Sequence, residues 1–79
     1  MTQVKHDDNY YYDIVRVNIR KFRNEKGLTQ QKLADECDLS MDYIAEIESL
    51  KRRKSFSLAT LGRIADVLGV DIVKFFEKE

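Results

Sequence analysis

Two helix-capping residues eleven positions apart, Thr29 and Ser40, constrain this chain more than any other feature. A capping hydroxyl accepts from a free N–H of the first helical turn, so each marks the start of a helix. Leu33, Ala34 and Cys37 follow Thr29 at helical spacing, and Ile44 and Ile47, with Leu39 just before them, give Ser40 a narrow apolar stripe of its own. About three residues remain between the two segments, the turn length of a helix-turn-helix.

The flanking sequence supplies more helices. Val15, Ile19 and Phe22 recur at i, i+4 and i+7, which predicts a first helix over residues 11–26 that stops at Gly27. A third cap, Ser57, opens a helix with Leu58, Leu61, Ile64, Ala65 and Leu68 on one face, ending at Gly69. Asp71 then caps a final short helix carrying Ile72, Val73, Phe75 and Phe76. The absence of proline and the presence of only three glycines favour such a helical domain over a turn-rich β fold.

The segments Leu28-Thr29-Gln30-Gln31-x-Leu33-Ala34, Leu39-Ser40-x-x-Tyr43-Ile44-x-x-Ile47-Glu48 and Leu58-x-Thr60-Leu61-x-x-Ile64-Ala65-x-x-Leu68-Gly69-Val70 resemble the lambda-repressor/Cro-type (XRE-type) helix-turn-helix domains. The resemblance covers residues 15–76. It implies an all-α, compact five-helix lambda-repressor-like DNA-binding domain over residues 10–79, preceded by a flexible tail, 1–9. In that family the second helix of the motif enters the major groove. Met41, Asp42, Tyr43, Ala45 and Glu46 would then face the bases, and Thr29, Gln30 and Ser40 the DNA backbone. Arg23 and Glu48 match the family's structural ion pair.

That reading face is unusual in lacking Arg, Gln and Asn, the side chains of the commonest bidentate base contacts. What remains is a carboxylate accepting from cytosine N4, or Met41 and Ala45 against a thymine methyl, so DNA shape should carry more of the specificity.

Charge distribution matters more than the formal net charge of zero. Residues 29–50 hold Lys32 as their one base against Asp35, Glu36, Asp38, Asp42, Glu46 and Glu48. The cations flank this acidic hairpin: Arg16, Arg20, Lys21, Arg23 and Lys26 before it, and the run Lys51, Arg52, Arg53, Lys54 after it. A charge run is usually a solvated surface, but directly after a recognition helix it stands where the family grips phosphates, and one arginine could enter a minor groove. The loop is about two residues longer than is usual for the family, and Leu50 stands where Gly is common.

Three local features carry two readings each. Tyr10, Tyr11 and Tyr12 can stack on bases or pack against the core or a dimer partner. Cys37 can be a redox-sensing thiol or a small buried hydrophobe. Asp38 occupies a left-handed turn position where the family prefers Gly; Asp tolerates that backbone better than most residues.

The final segment is more apolar than so small a core should absorb, so Ile72, Val73 and Phe76 are expected at a homodimer interface, with Phe75 in the core. No apolar run approaches a membrane span, and a single Cys forms no internal disulfide, which predicts a soluble cytoplasmic protein. One His in the tail, one Cys without a placed base and no Gly-rich phosphate loop argue against an enzyme, a cofactor, a metal or a small-molecule ligand. The expected role is a sequence-specific regulator that binds a two-fold site in double-stranded DNA, similar in size to restriction-modification controller proteins. The alternative is a helical module that docks a partner protein, as antitoxins do; the acidic face favours it and the basic loop opposes it.

Overall fold

The computed structural model describes residues 5–78. Four α-helices follow in order, α1 (Tyr10–Glu25), α2 (Gln30–Cys37), α3 (Met41–Glu48) and α4 (Leu58–Leu68), and a 3-10 helix (Ile72–Phe76) closes the chain. No strand occurs among the described residues. Residues 1–4 of the expected tail lie outside the described residues. In the remainder of that tail, Asp7 starts α1 by accepting from Asn9 N through its side chain at 2.9 Å and from Tyr10 N through its carbonyl at 3.1 Å.

The caps act as their residue types dictate. Thr29 Oγ1 accepts from Lys32 N at 3.0 Å, Ser40 Oγ from Tyr43 N at 3.1 Å and Ser57 Oγ from Thr60 N at 3.0 Å. Three helices end in one way. A residue with positive φ (Gly27, Asp38 or Gly69) turns the chain, and the next N–H reaches back to a carbonyl five residues earlier: Leu28 to Arg23, Leu39 to Ala34 and Val70 to Ala65. Asp38 does this with a side chain attached, at φ 58° and ψ 44°. Because only glycine adopts that backbone without a Cβ penalty, Asp38→Gly should raise stability by about 0.5–1 kcal/mol in chemical denaturation, with an unchanged denaturant slope.

Two boundaries differ from the sequence expectation. Helix α1 runs one residue earlier at both ends, over Tyr10–Glu25, with Lys26 as its C-cap. The fifth helix is a 3-10 segment. Asp71 Oδ1 accepts from Val73 N at 3.0 Å, but five residues give too few i→i+4 bonds to offset the cost of nucleating an α-helix.

The core draws on every element: Val15 and Ile19 from α1, Leu33, Ala34 and Cys37 from α2, Ile44 and Ile47 from α3, Leu61, Ile64, Ala65 and Leu68 from α4, and Phe75 from the 3-10 helix. Each large aliphatic or aromatic side chain in it contributes roughly 1.5–3 kcal/mol of hydrophobic burial. Buried Asn18 joins the last element to α1, its Nδ2 donating to Phe75 O at 2.7 Å and Glu77 O at 2.8 Å. The result presents α2 and α3 as one packed pair, backed by α1 and α4. Among the described residues no helix is long and apolar enough to cross a membrane.

Candidate nucleic-acid interface

Behind α3 lies a buried charge cluster. Arg23 Nε donates to Glu48 Oε2 at 2.7 Å and Arg23 Nη2 to Glu48 Oε1 at 2.9 Å, a bidentate pair in which both residues are more than nine-tenths buried. Arg23 Nη1 donates to Leu28 O at 2.8 Å, and Gln30 Nε2 to Glu48 Oε1 at 3.1 Å. One carboxylate at the end of α3 thus fastens both α1 and α2. It also draws the half-buried Gln30 side chain inward.

Arg16, counted by sequence among the flanking surface cations, is wholly buried. Its guanidinium lies over the rings of Tyr12 and Phe56, 5.6 Å and 5.4 Å from their centroids, and Nη1 donates to Ile47 O at 2.8 Å. The signal was periodicity: Tyr12, Arg16, Ile19 and Arg23 follow at i, i+4, i+7 and i+11, so both arginines lie on the apolar stripe. Polar residue type masked the position of Arg16, whereas the resemblance already implied a structural role for Arg23.

On the outward side of α3, Met41 and Asp42 are exposed, Ala45 and Glu46 half-buried, and Tyr43 packs partly against the core. Thr29 and Ser40 stand exposed at the starts of α2 and α3; capping uses a hydroxyl lone pair, leaving each O–H free to donate outward. Helix α3 ends at Ser49, whose Oγ accepts from Lys51 N at 3.2 Å and Arg52 N at 3.1 Å. That turn projects the basic loop beside the exposed face. Arg52 Nη1 approaches Glu46 Oε2 at 3.7 Å, an exposed pair worth at most about 1 kcal/mol. Lys51 and Lys54 form no ion pair among the described residues.

Of the C-terminal residues, Phe75 is fully buried and Ile72 packs partly on the core, whereas Val73 and Phe76 are exposed. Among the tyrosines, Tyr12 meets Phe56 edge-on at 5.0 Å, Tyr10 stacks on His6 at 3.6 Å and Tyr11 is exposed.

Cys37 is buried in the core, with its carbonyl accepting from Arg63 Nη1 at 3.2 Å. Burial pushes its thiol pKa up; the Arg63 charge opposes this and Glu36 adds to it. The native thiol therefore stays protonated and shielded. Labelling by a maleimide at neutral pH should proceed only through unfolding, its rate rising with denaturant. Because the folded pKa is the raised one, the stability it contributes is whole below the pKa of the unfolded thiol and is lost as pH rises through the folded value. Cys37→Ala should remove this alkaline loss.

A tight helix pair with an exposed outer face, held from behind by a buried ion pair and followed by a projecting basic loop, is the arrangement of a helix-turn-helix domain. The chain belongs to the helix-turn-helix family HTH_3, whose profile matches residues 19–75. Relatives include the immunity repressor protein of Bacillus phage phi105, 41% identical over 54 residues, covering 68% of this chain and 36% of that protein. The fold matches the restriction-modification controller protein C.Esp1396I with a TM-score of 0.75 at 34% identity, covering 85% of this chain and 84% of that one. It also matches C.AhdI from Aeromonas hydrophila, with a TM-score of 0.80 at 25% identity, covering 90% of this chain and all of that one. The chain spans 36% and 52% of the lengths of the first two curated relatives it matches.

Proposed function

We propose that this protein is a sequence-specific transcriptional regulator of the repressor or controller kind, acting in the cytoplasm and binding a two-fold DNA site as a homodimer. The observation that carries the reading is the exposed face of α3 flanked by the Lys51 to Lys54 loop. Met41, Asp42, Tyr43, Ala45 and Glu46 meet base edges in the major groove, Thr29, Gln30 and Ser40 meet the backbone, and loop cations not engaged within the domain meet phosphates. The buried Arg23–Glu48 pair is structural. It fixes α3 against α1 and contributes no base contact.

Support for the dimer comes from exposed apolar side chains on one side of the molecule. Val73 and Phe76 are 62% and 46% exposed, and Phe76 lines a shallow apolar groove of about 200 Å³ with Tyr11, Tyr12 and Leu58. A two-fold contact through Val73 and Phe76, with Ile72 at its inner margin, would hold two copies of α3 one DNA turn apart, roughly 34 Å.

The acidic outer face of α3, with Asp42 and Glu46, supports a second reading in which the same surface docks a partner protein. Selection from a random duplex pool, sequencing of the retained fraction and a salt titration on the best binder separate the two. A palindromic site with half-sites one turn apart, and affinity falling with salt at about 0.9 log units per phosphate contact, is the expected result. No enrichment above background would reject the DNA reading in favour of the partner protein.

A further inference from the structure

The four cations of the basic loop are not equivalent. Arg53 adopts a left-handed backbone, φ 51°, its N–H donates to Ser49 O at 3.2 Å, and its Nε folds back onto Leu50 O at 3.1 Å. Its Nη2 then reaches Asp13 Oδ2 on α1 at 3.3 Å. The other oxygen of that carboxylate, Oδ1, accepts from Arg16 Nε at 3.2 Å, and Arg16 is the buried guanidinium that also donates to the Ile47 carbonyl near the end of α3. Asp13 thus joins the loop, the interior and α3 through two arginines. Lys51 and Lys54 make no such commitments among the described residues, and Arg52 leans only on Glu46, with its side chain 67% exposed.

From this geometry we propose that Asp13 is a positioning residue for DNA binding: it holds Arg53 as part of the loop scaffold and leaves Lys51, Arg52 and Lys54 as the phosphate grip. A guanidinium held by Leu50 O and Asp13 keeps spare N–H donors, but it is fixed in place and its charge is already offset by a carboxylate, so it gains less from a phosphate than a free ammonium does. The αL turn at Arg53 also turns the chain between Arg52 and Lys54, so the residue bends the loop while its side chain ties it to α1. This inference rests on the DNA-binding reading above and assigns separate roles within it.

The test is binding of a fluorescein-labelled mixed-sequence duplex, about three helical turns long, followed by anisotropy across a salt series. Such a probe reads the phosphate grip without needing the operator. Each neutralised phosphate contributes about 0.9 to the slope of log affinity against log salt, so Lys51→Ala and Lys54→Ala should each lower it by about that amount. Arg53→Gly, which suits the positive φ, should leave the slope within about 0.3 of the wild type. Asp13→Asn should steepen the slope by releasing Arg53, and the steepening should vanish in the Asp13→Asn, Arg53→Gly double variant. A loss of merely structural origin would not steepen a salt slope. Thermal melts establish that each variant is folded, and if Asp13→Asn is not, Arg53→Gly alone decides. A slope lowered by about 0.9 in Arg53→Gly would overturn the assignment while leaving the DNA reading intact. A wild-type slope near zero would reject the DNA reading, and the assignment with it.

Discussion

Arg23→Ala should destabilise the domain by about 3–5 kcal/mol, because it leaves the Glu48 carboxylate buried with Gln30 as its one remaining side-chain donor among the described residues. In a domain of this size each kcal/mol moves the thermal midpoint by about 4–8 °C, so the loss should exceed about 10 °C and be visible in any melt. Breaking the pair is the costly event, not lacking it. Arg23→Met with Glu48→Leu should therefore recover much of the stability lost by Arg23→Ala, since apolar replacements of a buried pair are often neutral or better. An Arg23→Ala midpoint equal to that of the wild type would show that the pair contributes nothing net.

Phe75→Ala should cost about 3–5 kcal/mol, the range for truncating a fully buried aromatic side chain. Phe75 is wholly buried, with its ring 5.8 Å from that of Phe22, and it anchors a five-residue 3-10 helix that has little stability of its own. Its carbonyl is one of the two that Asn18 secures, so the segment should loosen locally before the rest unfolds. Hydrogen exchange at residues 73–77 should then be faster than at α2 and α3 in the variant. If both regions exchange alike, the segment is not separately anchored.

Both sites of largest effect are anticipated by the sequence, Phe75 from its apolar segment and Arg23 with Glu48 from the family resemblance. Phe75 follows an Asp cap in an apolar segment, and its neighbours Val73 and Phe76 alternate with it between surface and interior as a short helical turn requires. Helix starts were equally plain, because Thr29, Ser40 and Ser57 can satisfy free N–H groups in only one place. For Arg16 periodicity marked the stripe but not the burial, and for Asn18 nothing in the sequence marked it. A polar residue on an apolar stripe is read as surface unless its partners are known, and those partners, the carbonyls of Ile47, Phe75 and Glu77, are distant in sequence. The 3-10 character of the last element was hidden for another reason: i→i+3 and i→i+4 patterns cannot be told apart over five residues. For the candidate interface, spacing marks where the two short helices begin, and the resemblance alone assigns their outer positions to bases and phosphates.

Everything that fastens α3 lies on its inner side: Ile44, Ile47 and Glu48 are buried, while positions 41, 42, 45 and 46 are not. Under the proposed DNA reading, holding falls to Ile44, Ile47 and Glu48 and base contact largely to Met41, Asp42, Ala45 and Glu46, with Tyr43 touching both sides of this eight-residue helix. Such a helix is a replaceable key blank. If these outer side chains read DNA as proposed, they can be exchanged with little disturbance of the interior, and a new target site can be acquired one substitution at a time.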